Sequence, residues 1–422
     1  MATAVAADQI SYEDLYARWE HSNWSATAID FTGDRVQWEE RFSEFERRAA
    51  IWNYALFFWG EDAVADNLSP YIDAAPREEQ KYFLATQQVD EARHAVFFKR
   101  FMNEACGLGD GTVGGGLGAI EPELTWGFRK VFDRLDQMAD ELRRDRSRPQ
   151  LAAAITLYHL VIEASMAQPG QHCIESYLTE RDLLPGFRAG MRNVSNDEQR
   201  HIGFGVKLLA DLAAEDPDCR HAVADLLREV LPWTAAVLIP PGWDRRYTEC
   251  FGFTLEDISE EGATSLAAKL RAAGLPIEEL PGAPPMPLEM TPREQGERGL
   301  DLVRAGIIGD DVEGVRPTPD HQALLFDTIR RSVNPGHGLD QPTTLQWDFR
   351  DAEPWHIHID NGSTSAHAGK AESADLSFRC RYADWVDVVA GRADPRRAML
   401  TGRLLPWGNP RILARMPQIL GR

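Results

Sequence analysis

A chain of 422 residues is too long for one ordinary hydrophobic core, so two domains are the natural expectation. With 43% hydrophobic and 26% charged residues, the composition excludes wholesale disorder. The formal charge of −21 argues against a phosphate-backbone partner, because that binding needs clustered Lys and Arg, so no nucleic acid is expected.

The N-terminal stretch, Met1 to Ile10, has an early Asp8 and no basic-then-apolar signal pattern. From Asp34 to about Leu231, apolar residues recur at three and four, the period of helices packed in a bundle. The first predicted helix runs from Asp34 to about Asp73, interrupted at Gly60 and ended near Pro76. The longest apolar stretch, Ala49 to Gly60, includes Asn53 and is too short for a transmembrane segment. Further helices are predicted over Arg77 to Cys106, Glu121 to Arg144, Pro149 to about Thr179, Phe187 to Ala214 and Cys219 to Val230.

The glycine-rich stretch Gly107 to Gly118 contains a literal G-x-G-x-x-G at Gly109, Gly111 and Gly114. A dinucleotide site needs that motif between a strand and a helix. Here it follows a helix, so an interhelix loop is expected. After Leu231, Pro240, Pro241, Pro281, Pro284, Pro285, Pro287 and Pro292 mark connecting structure, with short helices at Ser265 to Ala273 and Arg293 to Ala305. Past Pro317, a helix over His321 to Val333 precedes alternating stretches at Thr344 to Arg350, Trp355 to Asp360, Ser363 to His367 and Asp375 to Arg381. These read as antiparallel strands of a small α+β domain. The expected organisation is therefore mainly α: a helical domain over 1–310, with linker segments within 281–316, and an α+β domain over 317–422.

Five scattered cysteines, Cys106, Cys173, Cys219, Cys250 and Cys380, include no C-x-x-C pair, which suits a reducing cytosol and a cytoplasmic protein.

The strongest chemical signal is a repeated pentapeptide. Asp90-Glu91-Ala92-Arg93-His94 and Asp197-Glu198-Gln199-Arg200-His201 both read D-E-x-R-H. One E-x-x-H on a helix is ordinarily a solvated acid beside a histidine. Two copies in matching contexts instead suggest that each Glu and His share a helical face and approach the same ion. Single carboxylates must then come from the preceding helices. Glu61 and Glu163 stand in apolar surroundings, Phe57-Phe58-Trp59-Gly60-Glu61 and Leu160-Val161-Ile162-Glu163-Ala164, with Asp62 the alternative to Glu61. The candidate metal ligands are Glu61, Glu91, His94, Glu163, Glu198 and His201. Four carboxylates offset most of the charge of two cations, and imidazole suits Fe and Mn. Asp90 and Asp197 are candidate acceptors behind the histidines or partners of Arg93 and Arg200.

At Gly60–Val64, Tyr158–Glu163 and Asp197–Gly205 the sequence resembles the ferritin-like superfamily: ribonucleotide reductase small subunits, bacterial multicomponent monooxygenases and, above all, the ligand-binding oxidases related to the reductase small subunit. The resemblance implies a Mn/Fe or Fe/Fe cofactor, a long-chain fatty-acid-like ligand and two-electron oxidation with dioxygen as co-substrate. In those oxidases a valine and a tyrosine become joined by an ether bond, and Val64 and Tyr158 stand at the matching positions; the alternative is that both are packed core residues. Reductase small subunits keep a radical tyrosine where this chain has Phe98, which argues against stored radical chemistry and makes Phe98 a candidate for the pocket wall. Pro169, shortly after Glu163, is a helix-disrupting departure from the oxidases.

From about Pro317 to Leu420 the chain resembles the sterol carrier protein type-2 fold, through Tyr382–Trp385, Gly391–Pro395, Gly402–Leu404 and Gly408. That fold encloses a lipid-binding tunnel; the alternative is that the domain only stabilises the assembly. Together these features lead to an O2-dependent di-metal monooxygenase or oxidase acting on a hydrophobic, fatty-acid-like or polyketide-like small molecule. An external electron-donor protein is expected, since no nicotinamide or flavin motif is credible, and a homodimer is expected. The rival readings are a nonenzymatic lipid carrier with a structural metal site, and iron storage.

Overall fold

The computed structural model describes residues 11–310, 314–360 and 363–421. The chain divides into two compact units, one running to Val230 and including Val237–Glu279, the other comprising Leu231–Ala236 and the chain from Leu280 onward.

The first unit is helical. Helices α1 (Tyr12–His21), α2 (Thr32–Glu40), α3 (Glu44–Asn67), α4 (Ser69–Ala74), α5 (Glu78–Glu104), α6 (Val113–Ile120), α7 (Trp126–Arg144) and α8 (Arg148–Ile155) lead into a π-helix over Thr156–Ala167. α9 (Gln168–Arg181), α10 (Pro185–Glu215), α11 (Cys219–Thr234), α12 (Arg246–Glu249) and α13 (Leu255–Ala272) follow. Boundaries arise where backbone donors find side-chain acceptors. The break expected at Gly60 lies instead at Ser43, whose hydroxyl and Glu46 form a reciprocal capping box at the start of α3. Gly60 is an interior helix residue beside the Phe132 ring, where even an added β-carbon would make ordinary contact at 3.4 Å. The glycine-rich stretch expected to be a loop is partly α6. Gly109 and Gly111 take the left-handed conformation, at φ 78° and 87°, but Gly114 is helical, so no phosphate-cradling turn forms.

Pro169 does not disrupt its helix. The Gln168 N–H reaches back to the Glu163 carbonyl, the five-residue step of a π-helix, and Pro169 falls in the first turn of α9, where a missing N–H costs little. The continuous run Arg148–Arg181 is apolar and long enough to cross a membrane by composition, and most of it is buried within the bundle.

α10 begins without a cap of its own, because Leu184 before it has φ 46° and no capping side-chain bond. Asp34 of α2 supplies the acceptors from a distance, its carboxylate taking the N–H groups of Gly186 at 2.9 Å and Phe187 at 2.7 Å. Burial pushes the Asp34 carboxyl up from its ordinary range against those two bonds. Asp34→Ala is expected to cost about 1–2 kcal/mol and to lower the thermal midpoint, with Asp34→Asn recovering part of the loss; unchanged melting of the alanine variant would remove this capping role.

The second unit contains α14 (Pro292–Arg304), α15 (Pro319–Ser332), β1 (Thr343–Phe349), β2 (Trp355–Asp360), β3 (Ser363–Ala368), β4 (Leu376–Cys380), α16 (Tyr382–Val389), α17 (Pro395–Leu400), β5 (Leu405–Gly408) and α18 (Pro410–Ile419). Its sheet has the order β3-β2-β1-β4-β5. The expectation of antiparallel pairing is corrected at one ladder: β1 and β4 are parallel, Leu345 opposite Leu376 and Trp347 opposite Phe378. The chain leaves β3 on one edge and returns on the far side of β1, so β4 enters in β1's own direction. Trp347 is fully buried, with Phe378 and Trp385 stacked or tilted against it.

Candidate metal centre

The predicted ligands converge. α3 carries Glu61, α5 carries Glu91 and His94, the π-helix carries Glu163, and α10 carries Glu198 and His201. All six are buried. One ligand atom each from Glu61, Glu91, His94 and Glu198 lies within 4.8 Å of the others, and the same holds for Glu91, Glu163 and His201. Glu91 therefore belongs to both groups. Asp62, one residue from Glu61, belongs to neither.

Both imidazoles turn Nδ1 inward. His94 Nδ1 is 3.1 Å from Glu61 Oε2 and 3.4 Å from both Glu91 Oε2 and Glu198 Oε1. His201 Nδ1 is 3.2 Å from Glu91 Oε1 and 3.6 Å from Glu163 Oε1. The other nitrogens are held crosswise rather than within each pentapeptide. His94 Nε2 meets Asp197 Oδ2 at 3.1 Å, and His201 Nε2 meets Asp90 Oδ2 at 3.1 Å, so each helix's aspartate fixes the other helix's histidine. The arginines brace both carboxylates. Arg93 bonds Asp90 and reaches Asp197 at 3.3 Å, while Arg200 bonds Asp197 and reaches Asp90 at 3.2 Å.

Several residues of this network were not foreseen. The Trp19 indole N–H donates to Asp90 at 2.8 Å and that of Trp24 to Asp197 at 2.8 Å, extending each Asp–His pair to a half-buried ring. Gln87 Nε2 donates to Glu163 Oε1 at 2.9 Å and to the Tyr158 hydroxyl at 3.0 Å, and its Oε1 meets His159 Nε2 at 3.1 Å. Gln87 stands four residues before Glu91, on the same helical face, which is the signal that could have found it. Trp19 and Trp24 lie in an N-terminal segment whose spacing to the pentapeptides carries no period.

Tyr158 donates its hydroxyl to Glu91 Oε1 at 2.6 Å. Burial and the neighbouring Glu91 and Glu163 charges push its pKa well above the ordinary phenol value, so the proton stays on Oη. Burial likewise raises Glu61 and Glu163, against the pull of His94 and His201 respectively. For Glu91 burial works the same way but is overcome by His201 and His94, which hold it below its usual range. His159 is pushed down to about 3 by burial and by His201, and stays neutral.

The donor set fits a pair of divalent cations. Four glutamates share this buried space with two histidines, while the nearby arginines are spent on the aspartates. Glu163 Oε2 and His201 Nδ1 are buried without a hydrogen-bond partner, an arrangement that is costly unless something else satisfies them. Oxygen and imidazole donors at this spacing match what Fe and Mn accept.

Beside the cluster lies a cleft enclosing about 640 Å³ of empty space, part of it continuous with solvent. Glu61, Glu91, Glu163 and Glu198 form its acidic end, and Leu56, Phe57, Val64, Phe128, Phe132, Ile162 and Met166 are among its apolar walls. Val64 and Tyr158 both line it. Phe98, expected in that wall, does not: it stacks behind Phe57 with ring centroids 5.9 Å apart, fully buried in the bundle core. Phe98 lies two turns along α5 from Glu91, and there its ring packs against Phe97 and Phe187 in the aromatic core.

Residues 7–111 match the family model for the ribonucleotide reductase small chain, and residues 340–421 match that of the SCP-2 sterol transfer family. The chain thus carries a reductase-small-chain-like domain of ferritin-like fold and a C-terminal SCP2 domain. Among solved structures, a valine-to-leucine mutant of an R2-like ligand-binding oxidase with anaerobically reconstituted Mn/Fe cofactor superposes with a TM-score of 0.54 at 22% identity, over 63% of this chain and 93% of that one. The R2-like ligand-binding oxidase from Sulfolobus acidocaldarius gives 0.53 at 24% identity, over 70% of this chain and 97% of its own. A glycine-to-leucine mutant with the same anaerobically reconstituted cofactor gives 0.54 at 22% identity. These likenesses establish a shared fold.

Proposed function

We propose that the helical unit is a non-haem di-metal oxidoreductase, Fe/Fe or Mn/Fe, that uses dioxygen to oxidise a hydrophobic small molecule. The observation that carries this reading is the pair of buried imidazole–carboxylate groups sharing Glu91 at the end of an apolar cleft. Glu61, Glu91, His94 and Glu198 would hold one ion, and Glu91, Glu163 and His201 the other. When bound, such a pair supplies two-electron redox chemistry toward dioxygen.

The protein's own residues supply position and dryness. Asp90 and Asp197 keep each histidine's Nε2 engaged, leaving Nδ1 free for a cation. Gln87 orients Glu163 and Tyr158 together, and Tyr158 holds a proton at Oη against Glu91. The apolar walls favour an apolar substrate over water beside the acidic end. The SCP2 domain supports a hydrophobic ligand, and we assign it that role. A homodimer, a cytoplasmic setting and a separate electron-donor protein complete the reading; the unpaired state of the five cysteines suits a reducing compartment.

The test is oxygen reactivity of anaerobically loaded, reduced protein. An absorbance change on admitting oxygen is expected, together with a Val64–Tyr158 peptide pair lighter by two hydrogen atoms in mass spectra, the Val64 C–H and Tyr158 O–H bonds giving way to a C–O bond with dioxygen as oxidant. Absence of bound Fe or Mn, or no optical response to oxygen, would overturn the oxidase reading. Separate peptides of unaltered mass would remove the crosslink alone.

A further inference from the structure

The cleft is not uniformly apolar away from the metal ligands. Two amide side chains, Asn53 of α3 and Gln171 of α9, line it as well. Gln171 is 3% exposed and its Nε2 is buried without a hydrogen-bond partner; Asn53 Oδ1 is likewise buried and unpartnered. One is a donor and the other an acceptor. Buried polar atoms are paired in most proteins, so two complementary orphans in one cleft are an unmet recognition element.

Their placement along the helices is matched. Asn53 stands eight residues before Glu61 and Gln171 eight residues after Glu163, each on the order of 10 Å from the metal level at helical rise. The two segments leave that level in the same direction, because a β-carbon on Gly170, seven residues after Glu163, would lie 2.9 Å from the Phe57 ring, four residues before Glu61. Both amides therefore lie toward the same end of the cleft, with Phe57 and the glycine gap at Gly170 between them and the carboxylates. Among the described residues no Lys, Arg or His lines the cleft, so no cationic side chain there compensates an anionic head group.

We propose that Asn53 and Gln171 bind a neutral polar group of the substrate that both donates and accepts a hydrogen bond, a carboxamide, while an apolar segment of about 10 Å extends to the metals. Gln171 Nε2 donates to the amide carbonyl and Asn53 Oδ1 accepts from its N–H. The substrate is then an apolar chain capped by an amide rather than a plain hydrocarbon or a carboxylate seated on these two residues. This assignment rests on the oxidase reading only for the direction in which the substrate lies.

The experiment uses the full metal-loaded chain, held without oxygen so that no turnover is needed, and measures binding of octanamide and of its isostere 2-nonanone by calorimetry. The ketone keeps the carbonyl and replaces the N–H group by a methyl. Octanamide is expected to bind about tenfold or more tightly, Asn53→Leu to abolish that preference, and Gln171→Leu to weaken both compounds. Thermal melting of each variant beside wild type shows that it is folded. Equal affinity of the two compounds, no binding of octanamide, or a preference that survives Asn53→Leu overturns the proposal. Metal content and the optical response to oxygen, read on the same samples, report separately on the oxidase reading.

Discussion

Replacing Glu91 by alanine is expected to remove both ions, where His94→Ala removes mainly one. Glu91 is the carboxylate common to the two groups, with Oε2 toward His94 and Oε1 toward His201. It also accepts the Tyr158 hydroxyl. Its loss leaves the first group with Glu61, His94 and Glu198 and the second with Glu163 and His201, with Glu198 Oε1 the nearest further carboxylate at 3.8 Å from His201 Nδ1. Even outer partners of metal ligands change affinity by about 10–100-fold, so deletion of the shared ligand is expected to cost at least about a hundredfold at each position. Elemental analysis after anaerobic loading and desalting reads the result directly. A Glu91→Ala protein that keeps two ions per chain would show that the groups do not share this ligand.

Gly205→Ala is expected to be among the most damaging single-methyl changes in the bundle. Gly205 lies on α10 against the π-helix, where a β-carbon would sit 2.2 Å from the His159 β-carbon and 2.5 Å from its ring root. Rotation about χ1 cannot relieve contact with a β-carbon, so the helices themselves must separate. At Gly190 the corresponding clash is with the Phe97 ring, which can turn. Overpacking of this kind costs about 3 kcal/mol, and in a helical unit of roughly 270 residues that lowers the melting midpoint by about 5 °C. The displaced His159 would also lose its bond to Gln87 and with it the orientation of Glu163 and Tyr158. Calorimetric melting of the metal-free protein isolates the packing effect; a midpoint within a degree or two of wild type would refute the close approach.

The helices and the two Glu–His pairs were readable in the sequence because they rest on local periodicity, and Glu61 and Glu163 because each is a carboxylate in apolar surroundings ahead of a pentapeptide. A three-residue step places Glu91 and His94 on one face whatever the tertiary structure does, and the repeat at Glu198 and His201 supplies the partner face. Relations between distant segments were less readable. The two aspartates were identified, but their exchange of partners between helices depends on how α5 and α10 face each other. The parallel β1–β4 ladder likewise depends on a crossover that alternation within each strand cannot report. The π-helix escaped notice because Leu157 to Ile162 are all buried, so no exposed polar face marks the residue-per-turn count. Gly60 and Pro169 misled for the opposite reason: each ordinarily breaks helices, yet here one is carried within α3 and the other falls in the first turn of α9.

The crossed aspartate–histidine pairs bear on how the centre fills. An ion that draws His94 into place also fixes Asp197, and through Arg93 and Arg200 it steadies Asp90 and hence His201. The first cation thereby prepays the ordering needed by the second. Occupancy is expected to rise steeply with free metal concentration, as a binding curve with a Hill coefficient above one, and singly loaded chains are expected to be scarce at half saturation.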